Sequence, residues 1–565
     1  MKTKLLLQTL LLTSFFSFAQ IDLVKDIYPG DKDSNINFLG TYKNEVYFSA
    51  VPTSYFSTLH KYNGTEIIEI KDENDNNIKS PTNFIIKDEI AYFTANINNV
   101  IAGYSYDGTT IKKIVERYFY NPIIYKNKIY FNGNSGGFGE KYNLWITDGS
   151  ENGASKFKEV ETFNSYKSHI WQHVIANDLL FFVARTPETG IELWKTDGTQ
   201  EGTSIVKNIY NGDGDADPED FFVASNGLLY FTAKTETEGR ELWVTDGTEA
   251  GTLMLKDFYT GTKGGDFYLT EKDNYVYIAL EDTSDNLYVT DGTPAGTSTV
   301  NPNITAKKIL FNYNGFIYFY GSKSGESGDL FITDGTENGT KILKSGLDVD
   351  RSVAMKLYKN EVYFNGDFEN LGEELWKTDG TESGTVLVKD IGSGTIEDGY
   401  VNNLNVVGDM LIFQAYQHAA TGLELWKTDG TEDGTTLIAD VNPGRNSFLI
   451  SKYYIYDNSL LLSAEASADI GKELYEYKNQ ATASTSNLFL QNINVFHQEQ
   501  KLHIKGLNTS KSSLKIYNLL GQKIKDINFT SNGNAVINVN AKSGIYIVNI
   551  KTETGNIFSK KFIIK

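Results

Sequence analysis

The sequence predicts an all-β fold: a β-propeller of about ten four-stranded blades closed by the N-terminal strand, followed by an Ig-like β-sandwich. Three observations predict it. A phrase of the form ELWxTDGTxxGT occurs seven times, at intervals of 43 to 50 residues, which is the period of a repeat architecture. The 565 residues include 50 Gly, 35 Tyr and 33 Phe, a composition typical of strands with tight turns. Residues 487–565 lack the phrase and form short alternating segments, as in a sandwich.

Each repeat is predicted to be a four-stranded antiparallel meander. One unit contains the apolar segments Phe221–Ser225, Leu228–Ala233, Glu241–Thr245 and Thr252–Phe258. Asn-Gly and Asp-Gly between such segments predict type I′ turns, which need positive φ at both central residues. A meander of this size matches a propeller blade. The turn aspartates of the seven copies are Asp148, Asp197, Asp246, Asp291, Asp334, Asp379 and Asp429.

The recurring residues of the phrase are predicted to serve packing and turn formation. The aromatic residue should fill the layer between blades, because both faces of an inner blade are buried. The Asp carboxylate and the Thr hydroxyl should bond nearby backbone groups and hold the turn. An aromatic and aspartate surface for carbohydrate is the functional alternative. The aromatic positions are Trp145, Trp194, Trp243, Tyr288, Phe331, Trp376 and Trp426.

Weaker copies extend the array to ten units and predict its closure. Two precede the seven strong copies, with His60 and Tyr104 at the tryptophan position. A last copy begins at Glu473–Tyr477 and has no fourth strand, whereas residues 23–30 resemble the fourth strands of other units. Pairing these two segments would leave no open sheet edge. An open solenoid and two smaller rings are the alternatives. Residues 21–478 resemble the ELWxxDGT repeat proteins, which implies a secreted bacterial protein of unassigned activity.

A polar linker at 480–486 separates residues 20–479 from a basic module at 487–565. The module contains LKIYNLLGQKI at 514–524, SGIYIVNIKTETGN at 543–556 and a final KKFIIK. It resembles the type A C-terminal sorting domain of the type IX secretion system of Bacteroidota. The resemblance implies recognition by the outer-membrane translocon and the machinery that processes such C-terminal signals; an ordinary Ig-like accessory domain is the alternative. The matching motif residues are Leu514, Tyr517, Leu520, Gly521, Gly544, Tyr546, Lys560, Lys561 and Lys565.

The N-terminus and the charge indicate where the protein acts. Residues 1–19 read as a secretory signal peptide, with Lys2 and Lys4 before an apolar stretch and small residues at the cleavage position. The sequence after residue 19 contains no run of about 18 apolar residues, so no transmembrane segment is predicted. There is no cysteine, and the net charge is −20 although residues 484–565 are basic. An acidic body disfavours nucleic acid and anionic lipid as partners.

Few residues indicate chemistry. His169 and His173 are four apart, but on a strand this spacing does not favour a zinc site. The loop around Asp213, Asp215, Asp217 and Asp220 places carboxylates at alternating positions, and oxygen ligands of this kind suit Ca²⁺. A solvated acidic loop is the alternative.

The function predicted from the sequence is non-catalytic. We expect an exported propeller that binds an extracellular glycan or protein, with no catalytic residues and no cofactor other than calcium. The alternative is a secreted glycan lyase or hydrolase with its site in the propeller channel.

Overall fold

A computed structural model describes most of the chain, as two compact units that divide after Lys478. The described residues contain β-strands and no helix. The predicted signal peptide and the 480–486 linker lie outside them. The described residues are 21–479 and 494–564, except for 54, 135–141, 164–172, 281–285, 324–328, 350–353, 370, 393–397, 418–420, 468, 499–500, 508–511, 519–522, 531–532, 540, 542–543 and 553–556.

The first unit is built from the repeats, numbered here from the N-terminus. Strand β1 (Ile21–Lys25) precedes them. The first four repeats contain β2 (Asn37–Tyr42), β3 (Glu45–Ala50), β4 (Thr58–Tyr62) and β5 (Ile67–Glu69); β6 (Lys79–Lys87), β7 (Ile90–Ile97), β8 (Val100–Tyr106) and β9 (Ile111–Val115); β10 (Tyr120–Tyr125), β11 (Lys128–Gly133), β12 (Tyr142–Thr147) and β13 (Ser155–Phe163); β14 (His173–Ala176), β15 (Leu179–Thr186), β16 (Gly190–Thr196) and β17 (Ser204–Ile205).

The fifth to seventh repeats have four strands each. They contain β18 (Glu219–Val223), β19 (Leu229–Lys234), β20 (Arg240–Thr245) and β21 (Leu253–Met254); β22 (Phe267–Lys272), β23 (Tyr275–Leu280), β24 (Tyr288–Thr290) and β25 (Ser298–Thr299); β26 (Ile304–Tyr313), β27 (Phe316–Lys323), β28 (Asp329–Thr333) and β29 (Lys341–Lys344).

The remaining repeats complete the unit. They contain β30 (Leu347–Val349), β31 (Lys356–Tyr358), β32 (Glu361–Phe368), β33 (Glu374–Thr378) and β34 (Val386–Lys389); β35 (Asn402–Val407), β36 (Met410–Gln417), β37 (Gly422–Thr428) and β38 (Thr436–Ala439); and β39 (Leu449–Tyr456), β40 (Ser459–Glu465) and β41 (Lys472–Lys478).

The repeats form antiparallel meanders, as the sequence predicts. The fifth repeat has the strand order β18-β19-β20-β21, and most other sheets also have four strands. Two eight-stranded sheets arise where neighbouring repeats join, at Thr58 opposite Lys79 and at Glu161 opposite Arg185. The first strands of several successive repeats contact one another, so they face the inside of the array and the fourth strands face outward.

The chain ends close the array. β1 pairs antiparallel with β41, with Ile21 opposite Tyr477 and Leu23 opposite Tyr475, so the predicted closing strand is confirmed. Ile27 packs with Leu474 in a hydrophobic cluster that the first and last repeats share. Further clusters join each repeat to the next. The open-solenoid alternative is therefore wrong.

The aromatic residues of the phrase fill the layers between repeats, as predicted. Four of the tryptophans are at most 8% exposed, and Tyr288 and Phe331 are also buried. His60 and Tyr104 are buried at the same position, where His60 stacks on Phe48 with ring centroids 5.5 Å apart. Trp145 is the exception, because it is only half-buried and the Arg117 guanidinium lies 5.4 Å from its ring centroid.

Hydrogen bonds explain the TDGTxxGT part of the phrase. Asp379 Oδ1 accepts bonds from the backbone N–H and the hydroxyl of Thr381, at 2.9 and 2.7 Å. Thr381 Oγ1 in turn accepts from the N–H of Gly384 at 2.9 Å. A Cβ added to Gly384 would lie 2.0 Å from Asp379 Oδ1, so only glycine fits there. The other six turn aspartates make the same pair of bonds, and the predicted turn role is confirmed.

The predicted type I′ turns at these positions are wrong. Positive φ occurs at Gly247 and Gly227 but not at the preceding Asp246 and Asn226. The reason is that Asp246 begins a longer loop, held by its own carboxylate, between Thr245 of β20 and Leu253 of β21. Consecutive positive φ values occur instead between first and second strands, at Lys43-Asn44, Asn177-Asp178 and Lys359-Asn360. The fourth strand of the fifth repeat is also shorter than predicted.

Replacing Trp376 by Ala is expected to destabilise the first unit by about 3–5 kcal/mol, the usual cost of an aromatic-to-alanine change in a core. The side chain is 3% exposed and packs between the seventh and eighth repeats. Urea denaturation measures the change. The matched variant Trp145→Ala should cost less, because Trp145 is only half-buried. Equal effects of the two substitutions would contradict the packing role.

The second unit consists of two antiparallel sheets around one apolar core. The sheet orders are β42-β43-β46 and β45-β44-β47-β48, and the core includes Leu502, Leu514 and Val548. The described residues of this unit form seven strands, in agreement with the short alternating segments of the sequence. The strands are β42 (Asn494–Gln498), β43 (Lys501–Leu507), β44 (Ser512–Asn518), β45 (Lys523–Phe529), β46 (Gly533–Asn538), β47 (Gly544–Thr552) and β48 (Ile557–Ile564).

Candidate binding site

The glutamate of the ELW phrase is a buried clamp, which sequence analysis missed. Glu374 is fully buried and accepts the backbone N–H groups of Ile391 and Gly392, both at 2.8 Å. These residues begin the connector to the next repeat, 17 and 18 positions further along the chain. The carboxylate therefore holds the connector over the edge of its own sheet. The sequence signal that could have pointed to this clamp is the recurrence of the glutamate in five units.

Five repeats share this clamp, and burial changes its acidity. The connector N–H groups approach Glu241 at 2.9 Å, and Tyr210 N–H donates to Glu192 at 2.8 Å. Glu473 instead accepts from Ile27 and so ties together the two ends of the array. Burial raises the pKa of all five carboxyl groups, to about 8 in Glu192 and Glu424 and to about 7 in Glu241, Glu374 and Glu473.

A cleft lies at the corresponding place in the third repeat. Asn143 occupies the clamp position, and the residues 17 and 18 further on are Val160 and Glu161. All three line a cleft of about 560 Å³ between the third and fourth repeats. The connector here continues as the long strand β13, whose register shifts several times against β12. The full lining is Asn143, Glu159, Val160, Glu161, Arg185, Thr186 and Pro187.

Arg185 connects the cleft with the acidic loop. In the strand register Asn143 lies opposite Glu161, and Glu161 lies opposite Arg185. The Arg185 Nε atom is 3.8 Å from Asp215 Oδ1, which also accepts the N–H of Ile191 at 3.0 Å. An amide, carboxylates and a guanidinium therefore lie side by side across these three strands, and they supply both hydrogen-bond donors and acceptors.

The structure assigns protein partners to the carboxylates of the predicted calcium loop. Asp215 faces Arg185, and Asp217 forms an ion pair with Lys234 at 2.7 Å. Asp220 accepts from the Thr232 hydroxyl at 3.0 Å, whereas Asp213 is exposed. Within the described part of the chain no group of three or more His, Asp or Glu is placed to hold a metal ion. The loop therefore does not present the shared set of oxygens that Ca²⁺ requires, and calcium stays a prediction.

Calorimetry with Ca²⁺ tests this loop. Binding would have to displace the Lys234 and Arg185 partners, so we expect at most millimolar affinity, the weak end for extracellular calcium sites. Any heat should disappear when Asp213, Asp215 and Asp217 are changed together to Asn. The matched control changes the exposed turn residues Glu382 and Glu432 to Gln. Absence of heat at millimolar Ca²⁺, or heat that survives the triple substitution, would refute the hypothesis.

Of the two histidines whose spacing the sequence analysis disfavours as a zinc site, His173 contacts the backbone of the neighbouring repeat. His173 Nδ1 is 3.0 Å from the backbone oxygen of Asn121, and burial lowers the pKa of His173 to about 4. His169 lies outside the described residues.

Three tyrosines form a cluster in the third repeat. Tyr118 and Tyr120 have ring centroids 5.0 Å apart and planes inclined by only 4°. Tyr142 lies 5.4 Å from Tyr120, and the two side chains are hydrogen-bonded. All three rings are half-buried. Tyr142 directly precedes Asn143 in β12, so the two side chains point to opposite faces of the sheet, and none of the three tyrosines lines the cleft.

The sorting-signal residues lie partly in the core of the second unit. Leu514 and Tyr546 are buried there, and Tyr546 lies 5.8 Å from Phe562. Tyr517 is half-buried in β44, and Gly544 begins β47. Lys560 and Lys561 belong to β48, but their side chains are not described. Leu520, Gly521 and Lys565 lie outside the described residues.

A comparison with protein families identifies the C-terminal module. Residues 498–565 match the family described as the secretion system C-terminal sorting domain. The domain directs export across the outer membrane to the cell surface or the extracellular space. No curated protein matches this chain. Among the described residues, no helix has the length and apolarity to cross a membrane.

Solved structures show distant similarity. A mutant puromycin hydrolase complexed with PGG is 13% identical at a TM-score of 0.30, over 61% of this chain and 58% of that one. The β-propeller domain of the Trilobed protease from Pyrococcus furiosus is 15% identical at a TM-score of 0.27, and the match covers 55% of this chain and 98% of that one. A third structure, from a study of two prolyl endopeptidases, is 8% identical at a TM-score of 0.32, and the match covers 93% of this chain and 55% of that one. This chain thus spans only 58% of the first of these proteins, and similarity at this level says nothing about activity.

Proposed function

We propose that this protein is a non-catalytic binding protein, delivered by the type IX secretion system to the cell surface or the medium. Its first unit is a ten-bladed β-propeller, and its second unit is an Ig-like sorting domain of type A, as in Bacteroidota. The repeats supply a rigid ring, and the residues that depart from the repeat pattern supply the binding site. The ligand is an extracellular glycan or protein.

The observation that carries this proposal is the cleft in the third repeat. The phrase residues of the other repeats are used by the fold, because their Trp, Glu, Asp and Thr side chains are buried or bonded within the unit. At the cleft, Asn143 replaces the clamp glutamate and polar side chains line an opening large enough for a small ligand. Residues of this kind can bind hydroxyl, amide and charged groups without any catalytic step.

Export is tested by deleting residues 487–565. The truncated protein is expected to remain in the periplasm with its signal peptide removed, as fractionation and mass spectrometry would show. A variant that lacks only residues 480–486 should still be exported. Surface delivery of the truncated protein would contradict the assigned route.

Binding is tested with panels of extracellular glycans and matrix proteins and the purified exported protein. Arg185→Ala should weaken binding about tenfold or more, the effect of losing about 1.4 kcal/mol. The matched control is Lys234→Ala, because Lys234 occupies the equivalent position in the fifth repeat and does not line the cleft. Absence of any ligand on both panels, or binding that is insensitive to Arg185, would contradict the proposal.

The second candidate is a glycan-active enzyme, and one observation favours it. Glu159 and Glu161 both line the cleft, and glycoside hydrolases commonly use two carboxyl groups. Release of reducing sugar or of unsaturated product, abolished by Glu161→Gln, would establish this function instead. Binding without any product would exclude it for the glycan tested.

A further inference from the structure

We infer that the junction of the eighth and ninth repeats binds a lysine or arginine side chain of a basic extracellular protein. The cationic group lies on the rings of Tyr400 and Tyr416. The carboxylates of Asp398 and Glu373 lie beside it. This site is separate from the cleft in the third repeat, so the inference goes beyond the proposed function and does not depend on it.

Three connectors between repeats have the same local structure. In each, an aspartate accepts the backbone N–H of a residue in the preceding repeat, at 2.9, 3.0 or 3.1 Å. The residue two positions after this aspartate has a positive φ. The aspartates are Asp33, Asp215 and Asp398. The residues with positive φ are Asn35, Asp217 and Tyr400, at 48°, 48° and 43°.

Tyr400 does not fit this conformation as Asn35 and Asp217 do. Asn and Asp tolerate positive φ because their short polar side chains bond locally, whereas a bulky residue there costs free energy. Among the described residues, Tyr400 is the only aromatic residue with positive φ. Its side chain is 51% exposed, so burial does not offset this cost. Residues held in unfavourable backbone conformations concentrate at ligand sites, and packing alone does not explain a tyrosine here.

The residue that contacts this position differs as well. In the fifth repeat Asp217 forms an ion pair with Lys234 at 2.7 Å, and the Lys234 N–H donates to the residue before Asp217. In the ninth repeat Tyr416 takes the place of Lys234, because its N–H donates to Gly399. The rings of Tyr400 and Tyr416 have centroids 6.1 Å apart and planes inclined by 70°. An aromatic corner therefore replaces an ion pair.

The surroundings of this corner are anionic. Asp398 Oδ1 accepts the N–H of Glu373 at 3.1 Å, which brings the two acidic residues together. Hydrogen bonding to Asp398, together with the charges of Asp398 and Glu373, raises the pKa of Tyr400. The face of a tyrosine ring is also negative, and it attracts a Lys or Arg cation within about 6 Å of its centroid. Half-exposed rings beside two carboxylates therefore complement a basic side chain.

Other ligand classes use fewer of these features. A neutral sugar ring can stack on an exposed tyrosine, but it gains nothing from the negative charge of the site. An anionic ligand would be repelled by Asp398 and Glu373. The strongly acidic body of the first unit also attracts basic partners over a longer range.

The test measures binding of immobilised full exported protein to a peptide rich in Lys and Arg, by surface plasmon resonance. The same peptide with Gln in place of Lys and Arg, and a panel of neutral oligosaccharides, are measured alongside. We expect binding of the basic peptide only. This binding should weaken as the salt concentration rises, because exposed charges are screened.

The key variant is Tyr400→Asn, because asparagine suits positive φ, as Asn35 does. Binding should weaken about tenfold or more, while the melting temperature should not fall. The double variant Tyr400→Asp, Tyr416→Lys restores the ion pair of the fifth repeat and should also lose binding. Tyr275→Ala is the matched control, because Tyr275 is 47% exposed and lies in the sixth repeat.

The outcomes separate this inference from the proposed function. Basic-peptide binding that is lost in Tyr400→Asn but kept in Tyr275→Ala, with no loss of melting temperature, supports the inference. Absence of basic-peptide binding, or binding that Tyr400→Asn leaves unchanged, overturns it. Oligosaccharide binding through Tyr400 without peptide binding also overturns it. A melting temperature that falls in Tyr400→Asn would assign the tyrosine to stability and overturn it as well. None of these results involves Arg185, on which the test of the proposed function depends.

Discussion

Deleting residues 21–30 is expected to abolish cooperative folding of the whole first unit. The deletion removes β1, the antiparallel partner of β41, and Ile27, whose side chain packs with Leu474. It also removes the N–H donors that Glu473 accepts from Ile27 and Tyr28 at 2.8 and 3.4 Å. A buried carboxylate that loses its donors costs about 1–3 kcal/mol or more, and the exposed strand edge promotes aggregation. Circular dichroism and urea denaturation of the purified protein would measure the loss.

Point variants separate closure from simple shortening of the chain. Ile27→Ala should cost about 2–5 kcal/mol, as for other aliphatic core residues, because Ile27 is 7% exposed. Leu23→Ala on the same segment should cost less than about 0.5 kcal/mol, because Leu23 is 39% exposed. Deleting residues 480–486 should leave the melt unchanged. A stable, cooperative protein without residues 21–30 would show that the array does not need its closing strand.

The stability of the first unit is expected to fall as the pH rises from about 5 to about 9. The clamp glutamates have an ordinary pKa of 4.5, which burial raises to about 7 or 8 in the folded protein. Between these values the folded state binds more protons than the unfolded state, so the free energy of unfolding decreases with pH. This contribution is fully present below about pH 4.5 and is lost above about pH 8. For a single clamp it is on the order of 3 kcal/mol.

The turn aspartates set the acid limit of this window. Hydrogen bonds from the hydroxyl and the N–H of Thr381 lower the pKa of Asp379, and similar bonds act on most other copies. The stability that these bonds contribute is present above the ordinary aspartate pKa of 3.8 and is lost as the pH falls through the lowered value. Maximum stability is therefore expected at about pH 4–5.

Differential scanning calorimetry between pH 4 and pH 9 tests this prediction. Glu374→Gln should flatten the profile, since the amide keeps an acceptor oxygen but does not titrate. Glu382→Gln is the matched control, because Glu382 is exposed in the following turn. A wild-type melting temperature that stays constant from pH 5 to pH 9, or a profile unchanged by Glu374→Gln, would contradict the assigned protonation.

The sequence could predict the elements whose causes are local. Asp379 accepts its hydrogen bonds from Thr381 within the same turn, so the repeated sequence motif was sufficient to predict them. The tryptophan layer followed from the repetition of an aromatic residue in each strong copy. The closing strand was predictable because residues 23–30 carry the same letters as the fourth strands of complete repeats. The turn type was not predictable from Asp-Gly alone, because the Asp246 carboxylate stabilises a longer loop.

The tertiary structure decided the features that join distant residues. Glu473 and Ile27 are 446 positions apart, and recurrence marks the glutamate of the phrase without revealing which segment donates the bonds that it accepts. The acidic loop suggested calcium because the sequence does not show its cationic neighbours. These are Arg185 and Lys234, which belong to other strands. The cleft depends on the register shifts of β13 against β12 and on the single pairing of Glu161 with Arg185. The sequence by itself determined the repeat unit and the export module, since these rest on local patterns and recurrence. Only the tertiary structure decided which carboxylates are buried, paired or open to a ligand, because their surroundings come from neighbouring repeats.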